Sequence, residues 1–310
     1  MSLLQKYLFT PHAPNTAAGF TDDSFSVVDV RRSRGAFSLS SSAVTQLPHG
    51  ILTAAFDEPN IQNRDEMIDI IASTVEAAGL GNKKRWSIAL PEGAARSLIV
   101  ALESRPASRK ELTEVLSWKI ERVIAAPASQ LRVSRQRLSR EGGQERYLVT
   151  VAREEVISEY EAIFESLGWQ AGLIAPRHLG EAQWLVWADP DGESMMISAN
   201  YSGFSAVVVR GGEPVMVRAS ACEPEARIDE LHRFALYYRD RAEESRGVEM
   251  RCLLVLGDID QAEAQSAVAD ALGVRPRLIS AMEFGFDLVG QPIKFEQLAS
   301  AAGLATMAWQ

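Results

Sequence analysis

The sequence predicts a two-lobed α/β protein whose two halves are built in the same way. Three observations support this prediction. The chain has 310 residues, which is enough for two lobes with sizeable cores. Residues 18–30 and 195–209 each follow the order strand, tight polar turn, strand, so that each half holds one such hairpin. Beyond each hairpin, strand patterns alternate with helix patterns, which is typical of α/β proteins.

The composition is that of an ordinary soluble protein, with 46% hydrophobic and 24% charged residues. A net charge of −9 argues against nucleic-acid binding. Cys222 and Cys252 are far apart and the four histidines lack metal-ligand spacing, so we expect neither a disulfide nor a metal site. No apolar run reaches the roughly 18 residues that span a bilayer. Residues 1–9 have one apolar helical face, which favours a short docked helix over a membrane contact.

Local patterns place the elements of the first half in order. Apolar or alternating runs predict strands at 25–30, 35–43, 50–56, 86–90, 97–102, 131–139, 146–152 and 169–175. Apolar residues at helical spacing predict helices at 63–78, 108–124, 154–167 and 177–187. Asn63 and Ser108 are each followed three residues later by a glutamate, which is the pattern of a helix N-terminus whose side chains satisfy the first backbone N–H groups.

The second half repeats the same succession. The Asp-Pro-Asp-Gly sequence at 189–192 predicts a turn between the halves. Strands are predicted at 194–199, 203–210, 213–218, 250–256 and 276–279, and helices at 224–245, 260–272 and 295–309. Each half is therefore expected to hold a hairpin sheet extended by strands that alternate with helices.

The two hairpins resemble the phosphate-binding hairpins of the actin-like ATPase superfamily, whose turns read roughly Asp-x-Gly-x-x-Ser/Thr. In that superfamily the carboxylate acts through a metal ion, and the glycine lets backbone N–H groups approach phosphate. The residues that stand in the two turns here are Thr21, Asp22, Asp23 and Ser24, then Ser198, Asn200 and Ser202. Thr21 and Ser198 replace the carboxylates, while Asp23 and Asn200 replace the glycines. The resemblance therefore implies a nucleotide-binding fold with two degenerate turns.

The order of segments from residue 86 to residue 185 is similar to that of the PilM family of type IV pilus assembly proteins, in the FtsA branch of the superfamily. The matching segments are WSIALP at 86–91, LTEVLSWKIE at 112–121, YLVTVAREEV at 147–156, YE at 160–161 and LGW at 167–169. Near the end of the chain, AGLA at 302–305 also resembles the family's closing helix. The resemblance implies a two-lobed actin-like, ribonuclease-H-like fold. It divides the chain into a first lobe (1A, residues 1–90 and 171–190), an inserted α/β subdomain (1C, 91–170) and a second lobe (2A, 191–310).

Two departures from the family concern the nucleotide site. The family's adenosine-side glycine pair reads Gly257-Asp258 here, so that one glycine is lost and a negative charge is added. The strand at 213–218 is followed almost at once by a helix, so the cleft subdomain 2B is expected to be reduced or missing. Together with the degenerate turns, these departures imply a pseudo-ATPase with no catalytic residue and no cofactor. ATP–Mg²⁺ is the cofactor that the family would otherwise imply.

The resemblance also implies a partner and a place in the cell. PilM-like proteins are cytoplasmic scaffolds, peripheral to the inner membrane, that hold the N-terminal cytoplasmic peptide of a PilN-like membrane protein and contact other pilus platform proteins. The family's groove lies between the first lobe and the inserted subdomain, near helix 108–124. Its residues outside the apolar stripe are the candidate partner contacts, namely Glu114, Ser117, Trp118 and Glu121. Trp118 suits an interface anchor, although a half-buried packing role is an equal alternative.

Other interpretations remain open at this level. The chain is alternatively an active actin-like ATPase or sugar-kinase relative, or the cytoplasmic domain of a GspL-like type II secretion protein. Asp22, Asp23 and Asp29 are a candidate metal-binding cluster, but a solvated turn is favoured because adjacent side chains of an extended segment point to opposite faces. The predicted hairpin at 131–152 contains several arginines. They are interpreted as the charges of an edge strand, and contact with anionic lipid head groups is the less favoured alternative.

Overall fold

A computed structural model of the chain describes residues 13–104, 106–243, 249–286, 288 and 293–309. The predicted apolar face of residues 1–9 lies outside these residues. The described strands are β1 (Thr16–Phe20), β2 (Ser24–Ser33), β3 (Ala36–Gln46), β4 (Arg85–Leu90), β5 (Ala95–Leu102), β6 (Leu131–Glu141), β7 (Gln144–Arg153), β8 (Gln170–Pro176), β9 (Glu193–Asn200), β10 (Gly203–Arg210), β11 (Glu213–Ala221), β12 (Met250–Leu256) and β13 (Arg277–Leu278). The described α-helices are α1 (Arg64–Ala77), α2 (Arg109–Ile124), α3 (Glu154–Ser166), α4 (Arg177–Ala188), α5 (Arg227–Glu243), α6 (Gln261–Leu272) and α7 (Phe295–Thr306).

Two five-stranded sheets have the same topology. The first has the strand order β3-β2-β1-β4-β8 and the second has the order β11-β10-β9-β12-β13. In each, three strands pair in antiparallel fashion and two further strands extend the sheet in parallel. The hairpins β1–β2 and β9–β10 occupy equivalent places in the two sheets. The predicted duplication of an α/β unit is therefore present in the fold.

Helices form layers on both faces of each sheet. Helices α1 and α3 pack on one face of the first sheet, where Met67 and Tyr160 join a core with Phe25. Helices α4 and α7 lie between the two sheets, and their side chains share a second core with β2, β9 and β10. Helices α5 and α6 cover the other face of the second sheet. In the part of the chain that the structure describes, the two five-stranded sheets thus separate three apolar layers.

The two central helices cross at a pair of glycines. A Cβ added to Gly180 of α4 would overlap the carbonyl oxygen of Ser300, and one added to Gly303 of α7 would overlap the carbonyl oxygen of Gly180. The missing side chains therefore let the helix backbones touch. Trp184 fixes the same contact, because its indole Nε1 donates to the carbonyl of Ala299 at 2.8 Å.

A separate three-stranded antiparallel sheet, β5-β7-β6, is inserted between β4 and β8. Helix α2 packs on it and forms a small core of its own. This sheet lies inside the predicted range 91–170. Helix α3, at the end of that range, instead packs its apolar face on the first sheet. Similarly, α7 belongs to the predicted second lobe by sequence but packs on β1 and β2 of the first sheet.

Two further features concern the connections. The predicted strand at 50–56 is wrong: the segment is a loop with a single bridge between Leu52 and Ile61. Ile51, Leu52 and Phe56 are nevertheless buried, so the apolar residues of this segment pack in the core without pairing as a strand. Between β11 and α5 the chain has only residues 222–226, which include one 3₁₀ turn.

Within the described part of the chain, no helix is long and apolar enough to cross a membrane.

Candidate functional site

The first hairpin turn is closed by its own polar side chains. Thr21 is buried, and its hydroxyl accepts a hydrogen bond from Ser24 N at 2.9 Å and donates one to Asp23 Oδ1 at 3.0 Å. The Ser24 hydroxyl lies 2.6 Å from the same Thr21 oxygen. A threonine that bonds back to the local backbone stabilises the turn itself. Thr21, Asp23 and Ser24 therefore bond with one another within the turn.

Asp22 is the residue of this turn that reaches the opposite lobe. Its Oδ2 accepts a hydrogen bond from the backbone N–H of Tyr201 at 2.7 Å. Burial raises the pKa of Asp22, and this hydrogen bond together with the charge of Arg177 only partly opposes the effect. The two hairpin turns thus meet through a carboxylate of one and a backbone N–H of the other.

The second hairpin turn is also satisfied internally. Asn200 Oδ1 accepts hydrogen bonds from Ser202 N at 3.0 Å and from Ser202 Oγ at 2.8 Å, which is the local bonding of an asparagine turn. Ser198 lies before the turn, within β9, and its hydroxyl accepts from Nη2 of Arg177 at 3.2 Å. Asn200 and Ser202 therefore shape the turn, while Ser198 faces the interior between the lobes.

A buried arginine joins the second turn to the predicted adenosine-side turn. Arg227, only 5% exposed, donates from Nη2 to the carbonyl of Asn200 and from Nη1 to the carbonyl of Asp258, both at 2.7 Å. Gly257 has a φ of 83°, and a Cβ there would overlap the carbonyl oxygen of Ala199. The glycine therefore allows the end of β12 to lie directly on β9, and the arginine fixes that contact.

A network of buried charges lies at the carboxyl ends of β4 and β8. Arg177 Nε donates to Glu181 at 2.6 Å. His178 Nδ1 lies 3.0 Å from Glu92, and its Nε2 lies 2.8 Å from the hydroxyl of Ser97 in the inserted sheet. Burial disfavours the charged form of both side chains, but the attraction between Glu92 and His178 is the stronger effect. The pKa of Glu92 is therefore lowered and the pKa of His178 is raised. The attraction therefore favours the ionised form of the pair, and the bond between His178 and Ser97 ties the insert to the first lobe.

This network and Arg227 are not among the residues predicted from the sequence. One signal was available, since Glu92 follows β4 and Arg177 follows β8, and ligands of open α/β sheets gather at the carboxyl ends of the strands. Nothing local marked Arg227, because its partners lie 27 and 31 residues away.

The three aspartates that formed a candidate metal cluster have separate partners. Asp22 accepts from Tyr201 N, Asp23 accepts from Thr21, and Asp29 accepts from Lys83 Nζ at 2.7 Å. Among the residues that the structure describes, no group of three or more His, Cys, Asp or Glu side chains is placed to hold a metal ion.

A groove of about 1400 Å³ lies beside helix α2. One wall is formed by β5 and α2 of the insert, and the other by β11 and α5 of the second lobe. The resemblance placed the partner groove between the first lobe and the insert, whereas this groove lies between the insert and the second lobe. One end is closed where the hairpin tips meet: Glu213 accepts from Ser139 N at 2.7 Å and Arg210 pairs with Glu141 at 2.8 Å.

Of the four predicted partner residues, Trp118 lines this groove. Its side chain is 55% exposed, and the guanidinium of Arg122 lies 4.9 Å from the ring centroid. The other three lie on the neighbouring face of α2, where Glu114 is 3.9 Å from Lys110 and Glu121 accepts from Ala128 N at 2.8 Å. Ser117 is half-buried on that face.

The arginines of the β6–β7 hairpin are largely paired within the protein. Arg132 pairs with Glu154 and Glu161, and Arg137 lies 2.8 Å from Glu145. Such pairing supports the interpretation of β6 as a charged edge strand.

Comparison with solved structures identifies the fold. The chain is similar to a PilM-PilN type IV pilus biogenesis complex, with a TM-score of 0.76 and 17% identity over 97% of this chain and 100% of that chain. It also resembles the ethanolamine utilization protein EutJ from Carboxydothermus hydrogenoformans, with a TM-score of 0.51 and 10% identity over 97% of this chain and 91% of that chain. A Bacteroides thetaiotaomicron protein with an actin-like ATPase fold and unknown function aligns with a TM-score of 0.50 and 10% identity over 90% of this chain and 94% of that chain.

No family model and no curated protein matches the sequence. The structural likeness nevertheless covers nearly the whole chain. The protein therefore has a PilM-like, actin-like fold, and the fold class and the resemblance predicted from the sequence are confirmed.

Proposed function

We propose that this chain is a non-catalytic scaffold of a type IV pilus or related secretion platform, and that it binds the N-terminal cytoplasmic tail of a PilN-like membrane protein. In this role it lies in the cytoplasm against the inner membrane and contacts other platform proteins. The observation that carries the proposal is the likeness to the PilM-PilN complex, which extends over 97% of this chain and 100% of that one.

The geometry of the interlobe cleft supports the non-catalytic part of the proposal. Phosphate binding needs converging backbone N–H groups and a compensated charge. Here the N–H of Tyr201 is already bonded to Asp22, and the carboxylates of Asp22 and Asp23 would repel a polyanion. Arg227 has its two terminal nitrogens bonded to carbonyls of the turns. These contacts support a cleft that does not bind ATP–Mg²⁺.

The groove beside α2 supports the partner-binding part. Strand β5 is an edge strand of the inserted sheet, and it lines the groove. The carbonyl of Ala101 accepts from Lys119 Nζ at 2.8 Å, so this carbonyl points away from β7. Because backbone direction alternates along a strand, the N–H and carbonyl of Ile99 also point away from β7, on the side of β5 that has no hydrogen-bonded strand. An extended peptide can pair with such an edge while its side chains enter the groove.

Binding of the tail is testable by calorimetry. The N-terminal peptide of a PilN-like protein from the same organism should bind the full chain, and Trp118→Ala should weaken binding by about 1–3 kcal/mol if Trp118 is an anchor. Val133→Ala, which truncates an exposed side chain of β6 outside the groove, is the matched control and should leave the affinity unchanged. Absence of binding to the folded wild-type chain would contradict the proposal. If Trp118→Ala binds the peptide as tightly as the wild type does, Trp118 is not part of the binding site, and the proposal itself still stands.

A further inference from the structure

Cationic side chains gather at one edge of the first sheet. Strand β1 pairs in antiparallel fashion with β2 and in parallel with β4, so the end of β2 and the starts of β1 and β4 lie at the same edge. There the N–H of Val30 donates to the carbonyl of Asn15 at 3.0 Å. We call this edge the basic face, and its cations are Arg31, Arg32 and Arg34 of the β2–β3 hairpin and Lys83, Lys84 and Arg85 at the start of β4.

Most of these cations have no carboxylate partner. Lys83 pairs with Asp29 at 2.7 Å, and the guanidinium of Arg32 lies 4.8 Å from the ring centroid of Trp187. The other four are exposed and form no ion pair with any residue that the structure describes, namely Arg31, Arg34, Lys84 and Arg85. On a chain whose net charge is −9, such a local excess of positive charge attracts an anionic partner.

A pocket of about 470 Å³ opens on the basic face. Its lining includes Lys84, Arg85 and the half-buried Trp309, which follows α7. Tryptophan suits a boundary that is apolar on one side and polar on the other, because its ring is apolar and its N–H is a hydrogen-bond donor. The face therefore combines exposed cations with an aromatic ring of this kind.

The N-terminal segment of the chain joins the described structure at this face, because Ala13 lines the same pocket. In the sequence of residues 1–9, Leu3, Leu4, Tyr7 and Leu8 fall on one side of a helical pattern. From the sequence alone, a docked helix is the favoured interpretation. The attachment of this segment beside exposed cations favours a membrane contact instead, because attraction to anionic lipid strengthens the binding of an amphipathic segment.

We propose that the basic face contacts an anionic lipid membrane directly. The cations pair with the phosphate groups of the lipid head groups, and the apolar side of residues 1–9 lies with Trp309 at the boundary between head groups and acyl chains. This inference goes beyond the proposed function, in which the tail of a membrane protein holds the chain at the membrane. The lipid contact does not need that tail.

Vesicle sedimentation with the full chain and no other protein tests the inference. Phosphatidylcholine vesicles with about 30% phosphatidylglycerol should bind the chain, pure phosphatidylcholine vesicles should not, and added salt should weaken binding. The double variant Lys84→Gln, Arg85→Gln should bind roughly thirtyfold more weakly, since each cation near an anionic surface strengthens binding. Lys110→Gln, Arg233→Gln removes two exposed cations of α2 and α5 and is the matched control, which should bind as the wild type does.

Two further variants extend the test. Arg31→Gln, Arg34→Gln removes two cations from the other strand of the basic face and should weaken binding to a similar extent, which keeps the inference testable if the first double variant does not fold. Leu4→Gln, Leu8→Gln should weaken binding by a factor that added salt does not change, because it removes apolar contact and no charge. Unchanged affinity of the leucine variant would overturn the part assigned to residues 1–9.

Equal binding to neutral and anionic vesicles, no binding to either, or wild-type affinity of the folded cation variants would overturn the inference. So would binding to a labelled ten-residue glutamate peptide without binding to vesicles, because the partner would then be an acidic protein segment. If the PilN-like tail binds and the vesicles do not, the membrane contact is wrong and the proposed function stands. If the vesicles bind and the tail does not, the proposed function is wrong and the membrane contact stands.

Discussion

Asp22 Oδ2 and the backbone nitrogen of Tyr201 lie 2.7 Å apart, so that a carboxylate of the first hairpin accepts the N–H of the second. In the superfamily that these hairpins resemble, such turns surround phosphate from two lobes. Here a side chain of the protein supplies the acceptor. Burial raises the pKa of this carboxyl group, because removal from water makes the ionised form of Asp22 less favourable. The contact joins the two lobes without a ligand.

Arg227 provides a second link of this kind, and its removal should destabilise the protein. Arg227→Met replaces the guanidinium by an apolar chain and leaves the carbonyls of Asn200 and Asp258 without their donor. Hydrogen bonds that involve a charged group contribute about 1.5–3 kcal/mol each, so we expect the loss of both to lower the free energy of unfolding by about 3–6 kcal/mol. Urea denaturation followed by circular dichroism measures this change.

The matched control is Arg233→Met, on the same helix, where an exposed arginine pairs with Glu230. Exposed pairs contribute about 1 kcal/mol or less, so this variant should remain close to the wild type. Equal losses for the two variants would show that Arg227 is not a structural link between the turns.

The ion pair between His178 and Glu92 predicts a pH dependence of stability. The folded protein raises the pKa of His178 above 6.5, with Glu92 and Glu181 raising it and burial and Arg177 opposing them. Its contribution is therefore complete below about pH 6.5 and is lost as the pH rises through the folded pKa. The pKa of Glu92 is lowered below 4.5, so its contribution is lost only at more acidic pH. Stability from this pair is greatest between these two values.

Denaturation curves from about pH 5.5 to about pH 9 measure this effect, because stability follows the difference in bound protons between the folded and unfolded states. Wild-type stability should decline on the alkaline side of the window, and His178→Gln should show a smaller decline. His49→Gln changes an exposed histidine of a loop and should keep the wild-type profile. Parallel profiles for wild type and His178→Gln would show that the pair is not ionised in the folded protein.

The sequence was sufficient for the fold because each element carried a local signal. Asn63 caps α1 and Ser108 caps α2 as predicted, each accepting from the N–H three residues later. The loop at 50–56 was misread as a strand because Ile51 and Phe56 are buried for packing alone. Local periodicity detects which side chains are covered, and does not detect which backbone groups pair.

The site was less accessible from the sequence because its contacts join distant positions. Thr21 and Asn200 were identified from the turns, and both do bond within them. The partner of Asp22 is 179 residues away, and Glu92 and His178 are separated by 86 residues. Pairing at such separations is decided by how the sheets and central helices stack, so no window of sequence displays it.

The crossing of α4 and α7 should not tolerate a side chain. Gly180→Ala would place a methyl group against the carbonyl of Ser300, and Gly303→Ala would do the same against Gly180. Overpacking a tight contact costs about 1–3 kcal/mol, so each variant should unfold at lower denaturant concentration. Gly81→Ala is the control, since an added Cβ there meets no atom within 4 Å. A wild-type midpoint for both crossing variants would contradict the close backbone contact.

The last prediction is that ATP–Mg²⁺ does not stabilise this protein. Three features disfavour binding of ATP–Mg²⁺. The carboxylate of Asp22 already accepts the N–H of Tyr201, and Asp23 stands in the first turn where the superfamily has a glycine. Arg227 joins the second turn to the carbonyl of Asp258. A ligand present at 100 times its Kd would add about 2.7 kcal/mol to the free energy of unfolding, which a thermal melt detects easily. Melting curves with millimolar ATP–Mg²⁺ should therefore coincide with those in AMP and in Mg²⁺ alone. A rise in Tm that grows with ATP concentration and is absent with AMP would instead favour an active ATPase, since only a site that binds the β- and γ-phosphates distinguishes the two nucleotides.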